Sequence, residues 1–172
     1  KNRGQRLDQA RFKRSSDNRS MDLLTLVRRR LIVPQLVAHD KHIAIHELVD
    51  FLVTEQEIPL ASRDVVLKAV LNREAEKPTG LGDGLSLPHG VVDLLEKEVA
   101  VLGLSDRGID FGAIDGRPAH IIILLVTPRY LAHRHPTNVR SIVMTLCQPA
   151  FRKELSACRT IDDVIDFLTE DE

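Results

Sequence analysis

Thr79-Gly80-Leu81-Gly82-Asp83-Gly84-Leu85-Ser86-Leu87-Pro88-His89-Gly90 lies near the middle of the 172-residue chain. Three glycines at alternate positions demand a tight backbone path with few side chains in the way. Leu85-Ser86-Leu87 reads as a short strand. Pro88 then fixes the backbone ahead of His89, and Gly90 leaves the imidazole and the neighbouring amides accessible. A tight turn, a strand and an accessible histidine thus arrive in one run.

Toward the N-terminus, Ile45, Leu48, Val49 and Leu52 recur at helical spacing and predict a helix over about residues 41–54. Pro59 breaks the chain. Ser62 is the expected acceptor for the first free amides of a second helix, with Asp64 in its first turn. That helix should run through Val66 and Val70 to about Arg73. Toward the C-terminus, Lys97 to Leu104 reads as a strand, and the apolar run Ala119 to Val126 as a strand buried on both faces. Val139, Ile142, Val143 and Leu146 form one helical stripe, and Ile161, Val164, Ile165 and Leu168 another. Thr160 with Asp163 three residues later is the pattern of a capping box. Helices at both ends around a few strands predict an α/β domain, one sheet covered by helices. It should occupy residues 41–172, after a lead-in over 21–40 and a basic, flexible arm over 1–20.

The composition, 43% apolar and 28% charged, is that of a soluble globular protein. With no Trp and one Tyr, modules that stack bases on aromatic rings are disfavoured, and no nucleic-acid partner is expected. No apolar run approaches the ~20 residues of a membrane span, so a membrane enters only through a fused partner, and a cytoplasmic location is expected. Cys147 and Cys158 lack paired metal spacing; Cys147 continues an apolar helical stripe and reads as a buried free thiol. Residues 1–30 hold ten Lys or Arg against three Asp, so the rest of the chain carries −8 against a net charge of −1. Such an arm reads as a solvated segment, or as a juxtamembrane linker lying on anionic lipid. A chain opening Lys1-Asn2-Arg3 is expected to be a fragment or a processed product.

Seven histidines invite a metal reading, but His42 and His46 lack the glutamate of a metalloprotease helix and flank the apolar stripe. A solvated helix face is the better reading, and no metal or cofactor is expected. His89 differs through its surroundings. A neutral imidazole is a competent nucleophile near neutral pH. A phosphorylated imidazole carries up to two negative charges, which donors from a glycine-containing turn and nearby cations would hold.

The run Asn72-Arg73-Glu74, the segment Thr79 to Gly90, Gly108-Ile109-Asp110-Phe111, and Ile114-Asp115-Gly116-Arg117-Pro118 with the buried run to Pro128 together resemble one family. It is that of the phosphotransferase-system enzyme IIA domains of the fructose, mannitol and nitrogen-regulatory class. The resemblance covers about residues 41 to 169. It implies a single mixed sheet of about five strands with helices on both faces, and a protein-histidine phosphotransferase component whose phosphoryl acceptor is His89. It implies a histidine-phosphorylated carrier protein of the HPr or NPr type as donor, and an EIIB domain, or a regulated transporter or kinase, as the partner downstream. It also implies a second histidine at the start of a helix, which falls on His135, with His133 as the substitute. Pro136 suits a first helical turn there, where the helix dipole favours anions. Arg73 matches the family's arginine, with a phosphoryl or partner contact as its implied role and a salt bridge to Glu74 or Glu76 as the bland one. Arg117 and Arg129 are further cations able to meet a partner. Asp83, where the family often has Asn, is expected to put a negative charge near the anionic site. Two alternatives stand beside the phosphocarrier: a regulatory module fused to a transporter or permease and switched at His89, and a degenerate domain that only binds partners.

Overall fold

A computed structural model of the chain describes residues 30–169, the side chain of Asn138 excepted. The basic arm and residues 21–29 of the lead-in lie outside the described residues. Six strands form one mixed sheet: β1 (Ile32–Val33), β2 (Gly80–Gly82), β3 (Leu85–Ser86), β4 (His89–Val92), β5 (Val99–Ile109) and β6 (Ala119–Pro128). The order across it is β1-β5-β6-β3-β2, and β4 also pairs with β6. Leu85 lies opposite Ile121 and His89 opposite Leu125, the same parallel offset, so β3 and β4 are one strand interrupted at Leu87-Pro88. Pro88 has no amide hydrogen to donate to the ladder, although its carbonyl still accepts from the Leu125 amide at 3.0 Å. The sheet is thus five strands wide, as expected. β5 runs on past Leu104 through a register irregularity into a segment where Asp106 and Arg107 are exposed. The apolar pattern ends before the strand does.

The helices are α1 (Lys41–Thr54), α2 (Arg63–Glu76), α3 (His135–Leu146), α4 (Pro149–Ala157) and α5 (Ile161–Thr169). α1 starts on Asp40, whose carboxylate accepts from the Ile43 amide at 2.9 Å. Ser62 does not cap α2: it ends the 3-10 turn Leu60–Ser62, its backbone already helical and its side chain making no capping bond. The turn feeds straight into the helix, so the capping geometry never forms. The capping box of α5 is present, with Asp163 N donating to Thr160 Oγ1 at 3.1 Å and Thr160 N to Asp163 Oδ2 at 2.8 Å.

β5 and β6 are buried along almost their whole length, the mark of a sheet covered on both faces. A Cβ on Gly90 would stand 3.1 Å from the backbone nitrogen of Val70, so α2 lies against that face of β4. Side chains alternate along a strand, so His89 points to the other face, toward the start of α3. The lead-in adds β1 to the sheet edge and Leu31, Ile32, Leu36 and Ala38 to the core. Cys158, not Cys147, is the buried thiol. The α3 stripe ends at Leu146, and Cys147 is the exposed cap residue beyond it.

Candidate functional site

β4, β6, α2 and α3 meet at His89. The Gly-rich turn that feeds this edge is pinned from below by Glu74, which is 2% exposed. Its carboxylate accepts from Lys41 Nζ at 3.1 Å, from the Thr79 amide at 3.2 Å and from the Thr79 hydroxyl. Gly80 then passes so close to the 110–118 loop that a Cβ would lie 2.8 Å from Phe111 O and Ala113 N.

The half-buried His89 ring has its Nδ1 2.9 Å from the Leu87 carbonyl. A carbonyl only accepts, so Nδ1 carries the hydrogen and Nε2 of the neutral ring keeps its lone pair. Burial lowers the pKa of His89; the Leu87 hydrogen bond pulls it back up, the charge of Arg73 lowers it and that of Glu74 raises it. Burial and Arg73 thus act against protonation of the lone pair.

His135 opens α3, and its ring lies against His89 with centroids 4.9 Å apart. Burial, then the charges of His89 and Arg73, lower its pKa to about 4. Its Nδ1 is 2.8 Å from Thr127 Oγ1, which donates to Glu98 Oε2 at 2.7 Å. Its Nε2 is the one buried side-chain nitrogen or oxygen without a partner among the described residues. Arg73, on the last turn of α2, donates from Nη1 to Lys77 O at 2.9 Å rather than to Glu74 or Glu76. Its charge reaches both imidazoles.

His89, His135 and Arg73 are therefore brought together, and His133 lies exposed in the 3-10 turn Arg129–Arg134 that precedes α3. Arg129 is ion-paired with Asp93 beyond the strand ends. Asp83 is not near the site. It precedes β3 at the opposite end of the sheet edge, roughly 15–20 Å from His89 by the rise of an extended strand, and pairs there with Arg117 and Arg152. A turn and a broken strand separate residues that sequence proximity had placed together. His42 and His46 lie exposed on α1. Thr127 and Glu98 escaped the sequence reading. Their only signal was a Thr closing an apolar run and a Glu just before a strand, and only the antiparallel register puts them face to face.

Residues 25–171 match the family described as phosphoenolpyruvate-dependent sugar phosphotransferase system, EIIA 2. The chain belongs to that family. EIIA domains of this system are phosphotransfer components, and a phosphoryl-carrier role fits the site. The chain is 30% identical over 149 residues to the fructose-specific EIIA component of Haloferax volcanii, covering 87% of this chain and 96% of that protein. It is 29% identical to a nitrogen regulatory protein of Bradyrhizobium diazoefficiens, over 86% of this chain and 95% of the relative. Against the fructose-specific EIIABC component of Bacillus subtilis it is 25% identical over 87% of its own length, but spans only 23% of that longer protein. The fold is shared with the mannitol IIA of Escherichia coli, solved in complex with phosphorylated IIB. There the TM-score is 0.68 at 23% identity, over 81% of this chain and 94% of the other. Among the described residues no helix is long and apolar enough to cross a membrane.

Proposed function

We propose that this domain accepts a phosphoryl group on Nε2 of His89 from a histidine-phosphorylated carrier protein of the HPr or NPr type and passes it to an EIIB domain, in the cytoplasm. The observation that carries this reading is the hydrogen bond from His89 Nδ1 to the Leu87 carbonyl. It leaves the lone pair on the nitrogen that is free to attack, and no base is needed to remove a proton first. In the transfer, the Nε2 lone pair forms the new N–P bond as the donor's N–P bond breaks, the electron pair returning to the donor nitrogen. The positive charge that develops on the His89 ring is held by the Leu87 carbonyl through Nδ1–H. Arg73 and His135 flank the position where the phosphoryl oxygens arrive, and a guanidinium there favours the dianion. Beyond β4 and β6, Leu94 and Tyr130 are 60% and 63% exposed and offer apolar surface to a docking partner.

The test is incubation with phosphoenolpyruvate, enzyme I and the carrier protein, followed by intact mass measurement under alkaline conditions. An acid-labile gain of one phosphoryl group is expected. It should vanish in His89→Ala and persist, more slowly formed, in His135→Ala. Labelling that survives His89→Ala rejects the assignment. The likeness to a nitrogen regulatory protein supports a second reading, in which the phosphoryl group is a regulatory mark; labelled domain that never discharges to an EIIB domain would favour it.

A further inference from the structure

We propose that Glu98 and Thr127 are positioning residues for His135, a relay that fixes its tautomer and supplies the negative charge it needs to hold a proton while His89 carries a phosphoryl group. The inference rests on the carrier reading of His89. Its physical basis is a count of hydrogens. The Thr127 hydroxyl has one hydrogen, and the Glu98 carboxylate, which can only accept, takes it at 2.7 Å. At 2.8 Å from His135, Thr127 Oγ1 can then only accept, so His135 Nδ1 is the donor. The neutral ring must therefore bear its lone pair on Nε2, the buried atom without a partner.

An acceptor buried without a partner loses its hydration and gains nothing in return, which destabilises the fold. Natural interiors keep few such atoms, and each asks for a reason. A phosphoryl group on the adjacent His89 supplies one. Its oxygens are acceptors, so Nε2 serves them only once it takes a proton from solvent and becomes a donor. The groups facing His135 are His89 from β4, Arg73 from α2, Thr127 from β6 and, through Thr127, Glu98 ahead of β5. Without the phosphoryl group, Arg73 opposes that proton. With it, two added negative charges and the Glu98 carboxylate favour it. The ordered outcome is an imidazolium bridged between Thr127 on one nitrogen and a phosphoryl oxygen on the other. Thr127 is fully buried and can do this only because the continued β5/β6 register sets Glu98 opposite it.

The test is ¹⁵N NMR of the histidines, before and after enzymatic phosphorylation, combined with transfer kinetics. In the unphosphorylated protein at neutral pH, His135 should be the Nδ1–H tautomer. On phosphorylation, its titration should rise from about 4 to near or above neutrality. Thr127→Val should slow phosphorylation by about 10–100-fold, the scale known for groups that orient metal-bound histidines, and leave His135 neutral in the phosphorylated state. Thr127→Ser should restore both. Glu98→Gln, which can still accept from Thr127, should keep the tautomer and lower the His135 titration point in the phosphorylated form. An Nε2–H tautomer in the wild type, or folded Thr127→Val with wild-type kinetics and titration, overturns the relay. If Thr127→Val does not fold, the wild-type tautomer decides alone. A wild type that takes no label overturns the carrier reading instead, so the two failures are distinct.

Discussion

The two ends of one sheet edge, a few residues apart in sequence, treat their charged groups in opposite ways. At the far end, Asp83 N–H donates to Asp115 at 2.7 Å, Arg117 N–H to the same carboxylate at 3.0 Å, and Arg117 and Arg152 both face Asp83. Charges there satisfy one another. At the near end, two imidazoles lie in contact, one buried nitrogen has no partner, and Arg73 spends one donor on a carbonyl. Charged groups that complete each other hold a loop in place. Groups held close together and incomplete are the ones able to take up a ligand.

That contrast can be broken most sharply at the arginines. Arg73→Ala should slow phosphorylation of His89 by about 10–100-fold, the scale of losing one charged donor to a transferring group. Arg117→Ala should change it by less than about 2-fold. Equal effects from the two, in quench-flow with phosphorylated carrier protein, would erase the distinction between the ends.

Gly80→Ala probes the scaffold side. Its Cβ would press on backbone atoms of the 110–118 loop at 2.8 Å, so a loss of about 2–3 kcal/mol in denaturant unfolding is expected. Transfer per folded molecule should stay near wild type. A fully stable Gly80→Ala domain would contradict the close approach.

A smaller effect is expected from pH. The pKa of His135 is lowered from 6.5 to about 4 and that of His89 is also lowered. Between those pH values the unfolded chain binds protons that the folded chain refuses, so their contribution is full above pH 6.5 and is lost as pH falls toward 4. Thermal unfolding of His135→Gln should show a shallower decline over that window. A parallel decline in both proteins would mean that His135 is not held neutral.

Asp83→Asn should do least. The ion pairs of this exposed carboxylate are long, so a stability change below about 1 kcal/mol is expected, with transfer unaltered. A tenfold change in transfer would bring Asp83 back into the site.

Periodicity alone located α1, and the apolar run from Ala119 located β6, because a helical stripe and a strand buried on both faces leave direct marks in sequence. The run from Gly80 to Gly90 announced a tight turn ending in an accessible histidine, since glycine and proline limit the backbone wherever they occur. What those patterns could not carry was register. The break of one strand into β3 and β4, the ring of His135 against His89, the removal of Asp83 to the far end and the alignment of Glu98 with Thr127 all depend on how strands slide past one another. Register is settled by the packing of both faces of the sheet at once, and one residue of slip would turn every side chain to the other face.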